Sequence, residues 1–285
     1  MRFIIFFALS LLSASLQAAS PVWKIESGHN SLFIAGTIHI LRATDFPLPG
    51  ALDKAYRQSK RLVFETDIGQ TQTADFSRQL MRALTLPPDQ TLEQILSSST
   101  LKRLRLQLQQ QGMNFDALKH FKPSMIAMSL TLNELKRLGI GETGVDVFYF
   151  KRAQQDQKPV SGLETPQQQL AFLALMGEGA EDDMILQTLD EIDQLHSEFP
   201  QMIESWKHGD AGKMEKQFVE PMRQQFASIY QQLLVKRNQA WIPQIEDMLK
   251  TPPTEMVLVG SAHLLGPDGL LTQLEKAGYK ITQLD

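Results

Sequence analysis

Cysteine is absent from all 285 residues. Disulfides, iron–sulfur clusters, thiol nucleophiles and a lipid-anchored cysteine are thereby excluded. Any bound metal must be held by His, Asp or Glu. A surplus of positive charge is missing too: 28 Lys and Arg stand against 32 Asp and Glu, a formal net charge of −4. Nucleic acid is met through a basic face, so no nucleic-acid partner is expected. Beyond the first residues, no apolar run approaches the roughly 20 residues that a membrane span needs. Nor does any low-complexity linker divide the chain. What remains is a composition 42% hydrophobic, long enough for one large domain or two small ones.

The opening stretch "MRFIIFFALSLLSASLQAAS" has one basic residue, Arg2, then an apolar stretch to about Leu16, then small residues. This is the layout of a secretory signal peptide, and it is short for a membrane anchor. The expectation is a leader over residues 1–18, cut after Ala18. The remaining protein, 19–285, would be exported to a bacterial periplasm and would not span a membrane.

Along that remainder, "PVWKIES" and "SLFIAGTIHIL" read as strands joined at "GHN". "LPGALDKAYRQSK" follows as a helix and "RLVFETDI" as a strand, which suggests a βαβ unit and a parallel sheet. From about 75 to 250 the period is mainly helical, interrupted by strand character at "KPVSGLET". The segment after "GETGVD" reads as helix or strand. "EMVLVGSAHLLG", "DGLLTQLEKAG" and "YKITQLD" close the chain as strand, helix and strand. The expected fold is α/β (α+β): a mixed sheet built from both chain ends (about 19–70, 158–166 and 254–285) under a large helical middle, all within one domain over 19–285.

One pattern occurs twice. "LFIAGTIHIL" and "MVLVGSAHLLG" each end an apolar run in Gly-x-x-His, placing His39 and His263 at strand ends. In open α/β sheets, ligands bind at the carboxyl ends of strands. Gly36 and Gly260 clear a side chain from each approach. A third strand end carries "FETD", with Glu65 and Asp67 on the same side of an extended chain. Two imidazoles and a carboxylate are a common ligand set for zinc, manganese or iron. The plainer reading, a cap for the following helix, fits Asp67 better than Glu65. Asp146, Glu164 and the pair Arg237–Asn238 are further candidates, each by itself closer to a cap or a surface pair. His29, His120, His196 and His208 lie in turn-like or polar helical contexts and read as surface.

The ordered motifs "GTIH", "ETD", "KPSMIA", "GVD", "LET", "RN" and "VGSAHLLGPDGLL" resemble those of the TraB/GumN-type proteins related to the TIKI proteases. That resemblance implies a divalent metal (manganese, cobalt or zinc) on His39, Glu65 and His263. It further implies hydrolysis of a peptide or protein substrate, with Glu65, Glu164, Arg237 and Asn238 in the catalytic group. Lys236 departs from the family pattern, which often has an acidic residue before Arg-Asn. The alternatives are a metal- or haem-binding protein without turnover, and an interaction protein on a degenerate enzyme fold.

Overall fold

The structure, a computed structural model, describes residues 19–141 and 143–285. The expected signal peptide, residues 1–18, lies outside the described residues. Six strands form one sheet: β1 (Val22–Ser27), β2 (Asn30–Thr37), β3 (Arg61–Thr66), β4 (Val160–Glu164), β5 (Glu255–Gly260) and β6 (Lys280–Gln283). Their order is β4-β3-β5-β2-β1-β6. β1 and β2 form an antiparallel hairpin that turns through Gly28, whose φ of +58° suits glycine. The strands β4, β3, β5 and β2 run parallel, and β6 lies antiparallel to β1 at one edge.

All six strands fall in the three segments read as sheet, and the middle of the chain is helical. The fold is mixed α/β, as the sequence indicated. The stretch open to helix or strand is the helix Val145–Gln155. Val145, Tyr149 and Ala153, four residues apart, are all fully buried, so the helical period decides it.

The βαβ unit is present, but its strands are not neighbours. β5, from the far end of the chain, sits between β2 and β3, pairing Thr37 with Gly260 on one side and Phe64 with Leu258 on the other. Composition explains the placement. "MVLV" and "LVF" are apolar on both faces and fully buried, as central parallel strands must be. β6 alternates exposed and half-buried residues, which suits an edge.

Among the described residues, two large apolar cores hold the chain together, beside a small cluster of Ala127, Met184 and Ile229. One surrounds the sheet. The other is purely helical and includes Leu92, Leu104, Leu108, Ile126 and Leu130. The 27-residue helix Glu181–Lys207 joins them. Its first half gives Ile185, Leu189 and Ile192 to the helical core, and its second half gives Phe199, Ile203 and Trp206 to the sheet core. Trp206 anchors it by donating from its indole N–H to the Gly36 carbonyl at 2.8 Å. Among the described residues, no helix is long and apolar enough to cross a membrane.

Candidate active site

Four adjacent parallel strands each deliver one group at their carboxyl ends. Glu164 ends β4, Glu65 lies near the end of β3, His263 follows β5 in a short 3-10 turn, and His39 follows β2. The two Gly-x-x-His copies are therefore on neighbouring strands, offset by one residue, since Gly36 pairs with Val259 and Thr37 with Gly260. Their glycines do different work. A side chain at Gly36 would meet Ser261 Oγ at 2.8 Å, so glycine there lets the turn bearing His263 pack on β2. A side chain at Gly260 would instead fill the site itself, meeting Glu65 Oε1 at 3.2 Å, His39 Nε2 at 3.6 Å and His263 Cδ2 at 3.7 Å.

Each imidazole is fixed through its Nδ1. His39 Nδ1 donates to Asp146 Oδ2 at 2.8 Å, and Thr37 Oγ1 donates to the other carboxylate oxygen at 2.9 Å. His263 Nδ1 lies 2.7 Å from Asn238 Oδ1. The Asn238 amide nitrogen already donates to the carbonyls of His263 and Asp268 at 3.0 and 2.9 Å, so its oxygen must be the acceptor. That places the proton of His263 on Nδ1 and leaves Nε2 with a lone pair. Trp241 packs against the same ring at a centroid distance of 4.4 Å.

Arg237, buried at the start of the helix Lys236–Met248, ties the group together. It donates to Glu65 Oε2 at 2.7 Å, to both Glu164 oxygens at 2.8 and 3.0 Å, and to His263 Nε2 at 3.2 Å. Glu65 uses its other oxygen to accept from the Gly260 N–H at 2.7 Å. Burial opposes ionisation of Glu65, but the Arg237 guanidinium, His39 and the Gly260 N–H hold its pKa below the ordinary carboxylate range. Burial pushes His263 down to about 3, keeping it neutral. The Asp146 carboxylate raises His39 from its ordinary 6.5 to about 9, although the imidazole is 63% exposed.

Of these groups, His39, Glu65, Arg237 and His263 line a cavity of about 350 Å³. His39, Glu65, Glu164, Arg237, Asn238 and His263 are all brought together. Asp67 is not: it accepts from the Gln70 N–H as the cap of a short helix. His29, His120, His196 and His208 are exposed and distant from this network. Asp146 makes a closer contact with His39 than the cap-like sequence context suggested. Trp241 had no sequence signal beyond its position one helical turn after Arg237. Lys236 is exposed and lines a second cavity beyond Arg237.

The donor set suits a divalent cation in kind. Two imidazoles anchored at Nδ1 by oxygen acceptors, beside a carboxylate, is how metal-binding histidines are usually held, and Gly260 leaves the space above them clear. The spacing is that of an ion-pair network. His263 Nε2 lies 3.9 Å from Glu65 Oε1 and accepts from Arg237. Among the described residues, no three His, Asp or Glu side chains already enclose a metal position. Binding would require Arg237 to release His263 Nε2.

The sequence profile of the TraB/PrgY/gumN family matches residues 21–283. The chain is similar to the uncharacterized protein YbaP of Escherichia coli (strain K12), at 27% identity over 277 residues, covering 94% of this chain and 98% of that one. It is equally similar to the uncharacterized protein YbaP of Shigella flexneri, with the same identity and coverage. No solved structure matches significantly.

Proposed function

The chain belongs to the TraB/PrgY/gumN family, and we propose that it is an exported hydrolase of peptide bonds, working with a divalent metal held by His39, Glu65 and His263. The observation that carries this reading is the matched anchoring of the two imidazoles, each fixed at Nδ1 with Nε2 turned to the space over Gly260 or toward Glu65. A manganese, cobalt or zinc ion held there would supply water activation and carbonyl polarisation.

The chain's own residues do the rest. Glu65 remains ionised and offers a fixed negative charge beside both rings. Asn238 keeps the His263 proton on Nδ1, with Nε2 accepting from Arg237, and Asp146 accepts from Nδ1 of His39. Glu164 and Glu65 hold the Arg237 guanidinium rigid, where it can take up negative charge developing on a carbonyl oxygen. His39 must lose a proton from Nε2 to act as a ligand, so metal affinity should rise with pH.

The test is metal content of the purified protein by mass spectrometry beside a His39→Ala/His263→Ala double variant, with cleavage of a mixed peptide pool with and without chelator. One metal per parent chain, none in the variant, and chelator-sensitive cleavage support the proposal. Metal without cleavage would favour a binding protein. Cleavage that survives the chelator would move the electrophilic role to Arg237. Neither metal nor cleavage, after supplementation with all three ions, overturns it.

A further inference from the structure

The floor of the 350 Å³ cavity is polar, but its walls are not. They come from Met202, Met214, Phe218, Val219, Leu233 and Leu234. Two of these pairs share an unusual origin. Phe218 and Val219 lie in a π-helical stretch, Glu215–Val219, and Leu233 and Leu234 lie in a second, Gln231–Val235. π-helical turns are rare and concentrate at functional sites, because the extra residue per turn re-aims side chains. Met202, Phe218 and Leu233 are only half-buried, and all three line this cavity. Two methionines add an adaptable surface. A second cavity, of about 340 Å³ on the other side of Arg237, is also largely apolar, with Leu163, Phe172 and Leu175, but adds Gln168, Gln232, Gln244 and Lys236 to its lining.

We propose that the first cavity is the pocket for a bulky apolar side chain (Leu, Ile, Met or Phe) flanking the bond that is cleaved, with Phe218, Leu233 and Leu234 as specificity-determining residues. This assignment rests on the peptide-hydrolase reading above. The pocket is open directly onto His39, Glu65, Arg237 and His263, so a side chain seated there brings its own carbonyl over the polar floor. Charged side chains would lose hydration against the apolar walls. The glutamine- and lysine-lined side of Arg237 would tolerate polar residues.

The experiment uses a polyalanine octapeptide series with Leu, Phe, Ala, Asp or Lys at one position. Cleavage is followed with the parent, and binding with the His39→Asn variant by calorimetry. The expected result is a kcat/KM for Leu and Phe on the order of 100-fold above Ala, Asp and Lys lower still, and the same order in binding. Leu233→Asp should erase the preference and Leu233→Met should keep it. Cleavage without an apolar preference overturns the pocket and leaves the hydrolase reading standing. Preferential binding of Leu and Phe peptides without any cleavage upholds the pocket and removes turnover. Neither cleavage nor preference overturns both.

Discussion

Arg237 touches Glu65, Glu164 and His263 at once from a buried position. Replacing it with Met would leave two buried carboxylates without their cation. Removing one partner of a buried ion pair costs about 3–5 kcal/mol, so Arg237→Met should lower the urea midpoint by a corresponding amount. Arg237→Lys should recover only part of it, since an ammonium cannot fork between two carboxylates. The two histidines respond to pH in opposite senses. In the folded chain His39 has its pKa raised to about 9 from the ordinary 6.5, so its contribution to stability is complete below 6.5 and is lost as pH rises through 9. His263 is depressed to about 3, so its contribution is complete above 6.5 and is lost as pH falls toward 3. Glu65, held near 2 against an ordinary 4.5, deepens the acid loss between those values. With chelator present, the melting temperature should therefore peak near pH 6.5 and fall on both sides. Asp146→Asn should flatten the alkaline side alone, and an unchanged alkaline decline in that variant would refute the His39–Asp146 assignment. At this scale much of the site could be read from the sequence. The repeated Gly-x-x-His and the acidic end of "FET" mark three strand ends by themselves. Asp146 could not be weighed in the same way, because its contact with His39 spans 107 residues and a carboxylate in a first helical turn looks like any cap.

The helix Val145–Gln155 owes its docking to one glycine. A side chain on Gly144 would sit 2.1 Å from the carbonyl carbon and oxygen of His39 and 2.3 Å from the Ile38 oxygen. The next residue, Val145, donates its N–H to that same Ile38 carbonyl at 3.0 Å. Gly144→Ala should therefore push the helix start away from the chain after β2 and cost about 1–3 kcal/mol, as overpacking does. It should also lift Asp146 off His39, so its alkaline melting profile should match that of Asp146→Asn. Gly50→Ala is the control: it opens a helix with no atom within 4 Å, and its midpoint should stay within about 0.5 kcal/mol of the parent. Elements with a clear period were legible from sequence: both hairpin strands, the helices after Pro49 and Thr165, and the C-terminal strand–helix–strand. The π-helical stretches were not. Each is a short insertion inside a helical run, with no breaker or change of composition to mark it in the sequence.

For the whole molecule, the decisive feature is that β5 comes from near the end of the chain and lies in the middle of the sheet. The sequence indicated that both chain ends contribute to one sheet, but strand order is set by long-range pairing that local patterning does not record. Without β5, β2 and β3 would face each other across a gap, each presenting an apolar, unpaired edge of the kind that drives aggregation. A chain ending at Lys250 loses β5, the helix Leu270–Lys276 and β6, and with them His263. It should aggregate rather than form a smaller fold with half a site. A chain ending at Gly278 loses only β6, a four-residue edge strand, along with the Gln283 side-chain bonds to the Ser20 and Gly209 carbonyls. It should stay monodisperse, keep its far-UV circular dichroism and melt in one transition at a lower temperature. Size exclusion with circular dichroism of both truncations separates the outcomes. If the Lys250 truncation were folded and soluble, β2 and β3 could pair without β5, and the four-strand arrangement that gathers Glu164, Glu65, His263 and His39 would not be required for the sheet to form.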